Sequence, residues 1–478
     1  METSPLVVAG RLLEQGELRD VRDPYGDELV GHAWFAHAVH VEEALAAGSA
    51  AQHACANQPA FQRRQALLQV ARRLEEELER FAQLICREAG KPITLARAEV
   101  MRAASTFACA AEESVRVAEK SVPLDVQPHG AGRFGVLRRF PRGLVAAITP
   151  FNFPLNLVAH KVAPALAYGC PVIVKPAPKT PLTALHLAAL VQETELPREA
   201  LQVLPADPEV ADVLVTDPRV RVLSFTGSAQ VGWGMRARAG HKHVALELGG
   251  DASVIVHEDA DVAFAAHRIA LGAFGYAGQV CIAVQHVLVH ARVRTRFLEA
   301  LLDAIGAHIV SGDPRDPRVV NGPLIDPLAA DRVERWLDEA EEQGARRILR
   351  GRRDGRILLP SVLEEVPPST SLGCEEVFGP VCTVSTYESL DDAIARVNQS
   401  RYGLQAGLFT DQLSTVWRAF EGLEVGGLIH NDAPTFRVDS MPYGGAKESG
   451  LGREGPAFVL DDFTERRLLA LSPGRQGG

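Results

Sequence analysis

Cys281, in the run Gly278-Gln279-Val280-Cys281, is a thiol set among small residues ahead of a strand-like stretch. As a thiolate it would be a nucleophile; as an ordinary intracellular cysteine it would be a small buried hydrophobe. Glu247, in Glu247-Leu248-Gly249-Gly250, closes another strand-like run and offers either a base or a plain solvated carboxylate. Asn152, in Thr149-Pro150-Phe151-Asn152-Phe153-Pro154, presents an amide donor in apolar surroundings, or an asparagine that satisfies its own turn. Phe225-Thr226-Gly227-Ser228-Ala229-Gln230-Val231-Gly232 follows a strand and opens a helix that Ser228 can cap. Free N–H groups at such a helix start suit a phosphate, although the spacing is GxxxxG and not the dinucleotide GxGxxG. Lys175 ends the apolar run Pro171-Val172-Ile173-Val174, where a lysine could equally snorkel off a sheet edge.

Each residue has a bland explanation, but all of them fall at strand ends, which is where open α/β sheets place ligands. The strands that carry them are legible. Leu144–Ile148, Pro171–Lys175, Leu201–Leu204 and Val220–Ser224 are short apolar runs separated by helical stretches, with Thr180-Pro181 read as a helix start. That alternation predicts a parallel sheet with helices on both faces. A second alternation after Leu248-Gly249-Gly250 includes Ala252–Val256, Val287–His290, a helix over 292–306 and Val381–Val384. Helical spacing from Ala60 to Glu88, closed by Gly90-Lys91-Pro92, marks a long amphipathic segment before the first sheet, and Leu6–Ala9 suits an edge strand.

Composition narrows the field. At 478 residues the chain has room for two or three lobes, and 46% hydrophobic with 23% charged residues excludes disorder and coiled coil. Sixty acidic against fifty basic residues, a formal charge of −10, give no footprint for nucleic acid or an anionic membrane. Seven scattered cysteines without a CxxC argue for a reducing, cytoplasmic setting and against a disulfide scaffold or a metal site. The N-terminal sequence lacks a signal-peptide pattern, and no apolar run is long enough to span a bilayer.

Seven ordered motifs together resemble the aldehyde dehydrogenase superfamily: residues 149–156, 175–185, 225–228, 247–250, 278–281, 375–381 and 441–454, with the likeness running from about Pro24 to Glu465. The resemblance implies an α/β fold with a Rossmann-type cofactor domain (1–121 and 139–250), an α/β catalytic domain (251–449) and a small β oligomerisation element (122–138 and 456–474). It implies oxidation of an aldehyde to the acid with NAD or NADP. Cys281 would be the nucleophile, Glu247 the base for the hydrolytic water, Asn152 the oxyanion donor, and Lys161 a partner in proton release. Ile148, Thr149, Pro150, Phe151, Lys175, Pro178, Gly227, Ser228, Leu248, Glu376 and Phe378 would meet the cofactor. Phe107, Phe153, Asn156, His160, Val280, Ile282, Arg437 and Tyr443 would line the aldehyde channel. The terminal strand and the hairpin near Val122–Val136 would join a neighbouring subunit in a homodimer or homotetramer.

Two departures bear on specificity. Many NAD-preferring relatives carry a glutamate three residues after the strand-end lysine; Pro178 stands there, followed by Lys179, so NADP is expected to be accepted and preferred. Several relatives have an aromatic residue where His160 and Arg437 stand, and Arg437 offers a partner for a carboxylate or phosphonate unless it pairs with Asp432 or Asp439. Val280 in place of an arginine argues against a strongly anionic substrate, so a small polar or acidic aldehyde, of the lactaldehyde or phosphonoacetaldehyde type, is expected. A CoA-acylating semialdehyde dehydrogenase is the alternative within the family, disfavoured by Glu247. A cofactor-independent cysteine esterase and a catalytically silent relative are the alternatives outside it.

Overall fold

The computed structural model describes residues 3–472; the last two positions of the expected oligomerisation element, 473–474, lie outside them. The short β-branched runs do form a sheet. Val172–Lys175 is buried at every position, as a strand covered on both faces must be. Five strands run parallel in the order His243–Glu247, Val220–Thr226, Leu144–Ile148, Val172–Lys175, Leu201–Val203. Antiparallel strands extend both ends: Gly450–Leu451 beyond Glu247, and Leu6–Val8 with Arg11–Leu13 beyond Val203. Leu6–Val8 is therefore covered by Arg11–Leu13 and fully buried, where an edge strand was expected.

The chain winds outward from Leu144–Ile148 through the next two strands, then returns to its other side with Val220–Thr226. Strand order reverses there, and a crevice opens at the carboxyl ends of these two strands. Thr149–Asn152 and Gly227-Ser228 stand on its two sides.

A second sheet of seven strands has the order Arg346–Leu349, Ser361–Glu364, Val381–Tyr387, His286–His290, Ser253–Val256, Gln405–Phe409, Gly427–His430. All pair in parallel except Arg346–Leu349. A three-stranded antiparallel sheet joins Lys120–Pro123, Phe134–Pro141 and Thr464–Leu471. Its last strand leaves Leu468, Leu469 and Leu471 exposed.

The amphipathic segment after Ala60 is two helices, Ala60–Glu76 and Leu78–Ala89, and Gly90 ends the second in a left-handed conformation, as its position after the apolar pattern predicts. The Thr180-Pro181 reading fails in detail. The helix begins at Leu182, and its first amides donate to Glu88, which lies 94 and 95 positions earlier. A buried carboxylate from another helix satisfies these donors, which leaves the Thr180 hydroxyl without a partner. No helix among the described residues is long and apolar enough to cross a membrane.

Candidate active site

The Cys281 loop is held open by backbone that few sequences adopt. Tyr276 and Ala277 have φ of +53° and +54°, followed by Gly278 at +68°. A Cβ on Gly278 would lie 2.2 Å from the Gly379 carbonyl oxygen, so only glycine fits. Gln279 pins the loop: its side-chain oxygen accepts from the Ile325 amide at 2.9 Å, and its Nε2 donates to the Pro323 carbonyl at 3.2 Å. The Gln279 carbonyl in turn accepts from Asn152 Nδ2 at 2.9 Å, which draws the amide to the loop of the thiol. Cys281 Sγ lies 2.9 Å from the Tyr443 hydroxyl, and burial pushes the thiol up to about 12.

Glu247 ends its strand with the side chain buried and Oε2 unpartnered. Burial, then the charge of Glu454, raise it well above the usual carboxylate range, against the pull of Lys161 and Arg437. The following Leu248 amide donates to Ser449 at 3.0 Å, so the linker is tied to the C-terminal segment. A Cβ on Gly249 would sit 2.2 Å from Glu376 Oε2, which explains the glycine by the close approach of that carboxylate. The Gly250 amide donates to Glu376 at 3.3 Å, and burial pushes Glu376 up to about 8. Phe378 meets Phe151 edge to face at 5.9 Å across the crevice.

The nucleotide side of the crevice fits an absent dinucleotide by what it leaves unsatisfied. The hydroxyls of Thr149 and Thr226 at two neighbouring strand ends, and of Thr180 in the loop after Lys175, are buried without partners. Lys175 is buried and makes no ion pair among the described residues; desolvation lowers its ammonium to about 8. Ser228 occupies the N-cap position of Ala229–Arg238, but its hydroxyl makes no capping bond, contrary to the sequence reading. The Gly227 amide already donates to the Glu247 carbonyl at 3.1 Å, so it is not a free phosphate donor. Pro178 and Lys179 reach the surface, with Lys179 3.7 Å from Asp326. Ile148, Pro150 and Leu248 line the same strand ends.

Behind the thiol lies a dense polar network, in which Arg437 Nε and His160 Nδ1 stay unpartnered and which the local sequence does not announce. Lys161 Nζ donates to Glu454 Oε1 at 3.1 Å, and Arg437 donates to Glu454 Oε2 at 3.0 Å. Arg437 therefore pairs with Glu454, not with Asp432 or Asp439; Asp432 is taken by Arg268, and Asp439 by Arg102. The Arg437 guanidinium also lies 3.8 Å over the Tyr443 ring. Against the penalty of burial, the charges of Lys161 and Arg437 hold Glu454 below the usual carboxylate range. Asp439 Oδ1 accepts from His160 at 2.9 Å and Asn156 at 3.2 Å. Burial, then the Arg437 charge, lowers His160, which makes the neutral ring with its proton toward Asp439 the consistent form. Glu454 lies within a motif already singled out but carried no local mark of a role; Asp439 and Arg102 carried none either. Of the expected channel residues, Phe153 and Val280 keep partial exposure, Ile282 packs with Leu404 and Tyr443, and Phe107 is wholly buried in the first core.

The sequence pattern of the aldehyde dehydrogenase family matches residues 13–469. A 3-sulfolactaldehyde dehydrogenase of Priestia aryabhattai is 44% identical over 413 residues, 86% of each chain. Among solved structures, aldehyde dehydrogenase 21 of Physcomitrella patens, in complex with the reaction product succinate, superposes with a TM-score of 0.96 at 39% identity over 99% of both chains. Glyceraldehyde-3-phosphate dehydrogenase GapN of Methanocaldococcus jannaschii, complexed with NADP, gives 0.92 at 34% identity over 96% of this chain and all of that one.

Proposed function

The chain belongs to the aldehyde dehydrogenase family and is an NAD(P)-dependent aldehyde dehydrogenase; from that premise we propose that its substrate is a small polar aldehyde bearing an anionic group, released as the free acid. The observation that carries this reading is Arg437, stacked on the Tyr443 ring whose hydroxyl touches the thiol. Its Nε is buried and partnerless, a donor with an unmet demand. The relatives agree in kind: one is named for a sulfonated aldehyde and another holds succinate. Arg102, partly exposed and gripped by Asp439, is a second cation on the same network.

In the mechanism we propose, Cys281 gives up its proton to solvent, which its partial exposure allows, and adds to the carbonyl carbon as the thiolate. The oxygen becomes an oxyanion that the remaining N–H of Asn152 and the Cys281 amide receive. A nicotinamide dinucleotide along the crevice supplies the hydride acceptor. Lys175 and the hydroxyls of Thr149, Thr180 and Thr226 would hold it, with Glu376 and Phe378 at its reactive end. The acyl group then sits on Cys281 as a thioester, and Glu247 takes the proton of the water that attacks it. Its elevated pKa suits a base working near neutrality. Glu454 and Lys161 offer that proton a route onward.

Pro178 removes a carboxylate that would repel a 2′-phosphate, and NADP is the proposed preferred cofactor. The exposed leucines of Thr464–Leu471 are proposed to pack against a second copy, in a dimer or a tetramer of dimers. The test is turnover of 3-sulfolactaldehyde, succinic semialdehyde, lactaldehyde and benzaldehyde with NAD and with NADP, in wild type and Arg437→Met. Anion reading predicts that kcat/KM falls at least about tenfold for the anionic aldehydes alone. A uniform fall across all four would assign Arg437 to the support of Glu454 instead. Equal or better turnover with NAD would remove the NADP preference, and product formation that requires CoA would favour the acylating alternative.

A further inference from the structure

Lys91 lies between the helices Leu78–Ala89 and Ile93–Ser114, with its side chain 1% exposed. Its ammonium bonds Glu99, itself wholly buried. Burial of a charge pair is retained only where its geometry matters or is well satisfied. Here the ammonium reaches both loops and the carboxylate holds one of them. The ammonium sits 3.5 Å from the Phe153 ring centroid and 4.7 Å from that of Tyr276. Phe153 follows Asn152, while Tyr276 opens the strained turn that leads to Cys281. Glu99 spends its other oxygen on the amides of Leu155 and Asn156, at 2.9 and 3.1 Å, where the helix after Asn152 begins. The Tyr276 hydroxyl returns to the Ala89 carbonyl at 3.0 Å, two residues before Lys91. A cation over two ring faces fixes both rings relative to itself.

We propose that Lys91, through Glu99, Phe153 and Tyr276, is a positioning residue that holds the Asn152 loop and the Cys281 loop in register. The proposal rests on the reading of Asn152 as oxyanion donor and Cys281 as nucleophile. A shift of about 1 Å between amide and thiol is enough to cost about 10²-fold in rate.

The test is single-turnover formation of reduced cofactor in Lys91→Met/Glu99→Gln, which replaces the ion pair with neutral chains and leaves no lone buried charge, with and without Asn152→Ala. In the native background Asn152→Ala is expected to lower the rate about 10²-fold or more. The neutral pair is expected to lower it about 10- to 10²-fold with unchanged dinucleotide Kd, and Asn152→Ala to add less than about threefold to that. A neutral pair that lowers the melting temperature while the full cost of Asn152→Ala persists makes Lys91 structural only, and overturns the proposal. If Asn152→Ala costs nothing in the native background, the oxyanion reading itself falls. Phe153→Leu, which keeps the ion pair but removes the ring against the ammonium, gives the same comparison should the neutral pair not fold: non-additivity with Asn152→Ala supports the coupling, and full additivity refutes it.

Discussion

The crevice and the network behind the thiol differ in how far their buried polar groups are paired. Along the first, Thr149, Thr180 and Thr226 keep buried hydroxyls without partners and Lys175 makes no ion pair among the described residues. In the second, Asp439 meets Arg102, Asn156 and His160, and Glu454 meets Lys161 and Arg437. A buried polar group left unmet costs stability unless a ligand meets it, whereas a satisfied network fixes positions. The first leaves its polar groups to a ligand; the second is mostly paired, with Arg437 Nε and His160 Nδ1 left over, and fixes the side chains around Glu247. Glu247 belongs to both, with its backbone in the sheet, one carboxylate oxygen unmet and its charge governed by the network.

This contrast can be broken or sharpened by substitution. The largest effect is expected from Cys281→Ala, which should cut dehydrogenase turnover by about 10⁴ or more while dinucleotide affinity survives, as read by titration. Glu247→Gln should lower steady-state turnover by about 10²–10³ and spare the first hydride transfer. Because a base acts when deprotonated, the elevated pKa of Glu247 places the rise of wild-type activity above the ordinary carboxylate range, climbing with pH. Glu454→Gln removes a charge that raises Glu247, so its rise should move to lower pH, whereas a shift to higher pH would contradict the assigned coupling.

Stability separates the two regions further. Asp439→Asn breaks a buried network and should cost about 2–3 kcal/mol in denaturant unfolding, the partial exposure of Arg102 trimming the larger value of a sealed pair. Thr226→Val on the other side should leave the unliganded protein equally or more stable and raise the KM for dinucleotide by only about threefold, near the worth of a single neutral hydrogen bond. A loss of apo stability in Thr226→Val would mean that its hydroxyl serves the fold.

The same contrast explains what the sequence discloses. Much of the crevice is written locally: Thr149, Lys175, Thr226 and Glu247 end or follow apolar runs, and the order of runs and helices is enough to put those ends on one edge. The network is not local. His160 reaches Asp439 across 279 positions, Lys161 reaches Glu454 across 293, and Arg102 reaches Asp439 across 337. No periodicity records such pairings, so the sequence offers Arg437 a substrate anion or the nearby Asp432 and Asp439, and does not announce Glu454. Thr180 shows a related limit. A threonine before a proline reads as a helix cap, but a distant carboxylate, Glu88, takes the helix amides and frees the hydroxyl for the crevice. The resemblance to aldehyde dehydrogenases is what implies roles for Cys281, Glu247 and Asn152, which residue type alone leaves open.

The central claim is that Cys281 carries the acyl group and Glu247 releases it. Rapid mixing of Glu247→Gln with NADP and a reactive aldehyde, followed by intact-mass analysis, tests it most directly. The account predicts a burst of about one reduced cofactor per site, then near-arrest, with the acyl group retained on the protein and located on Cys281. A variant that shows neither burst nor adduct, or one that turns over at the wild-type rate, would contradict it.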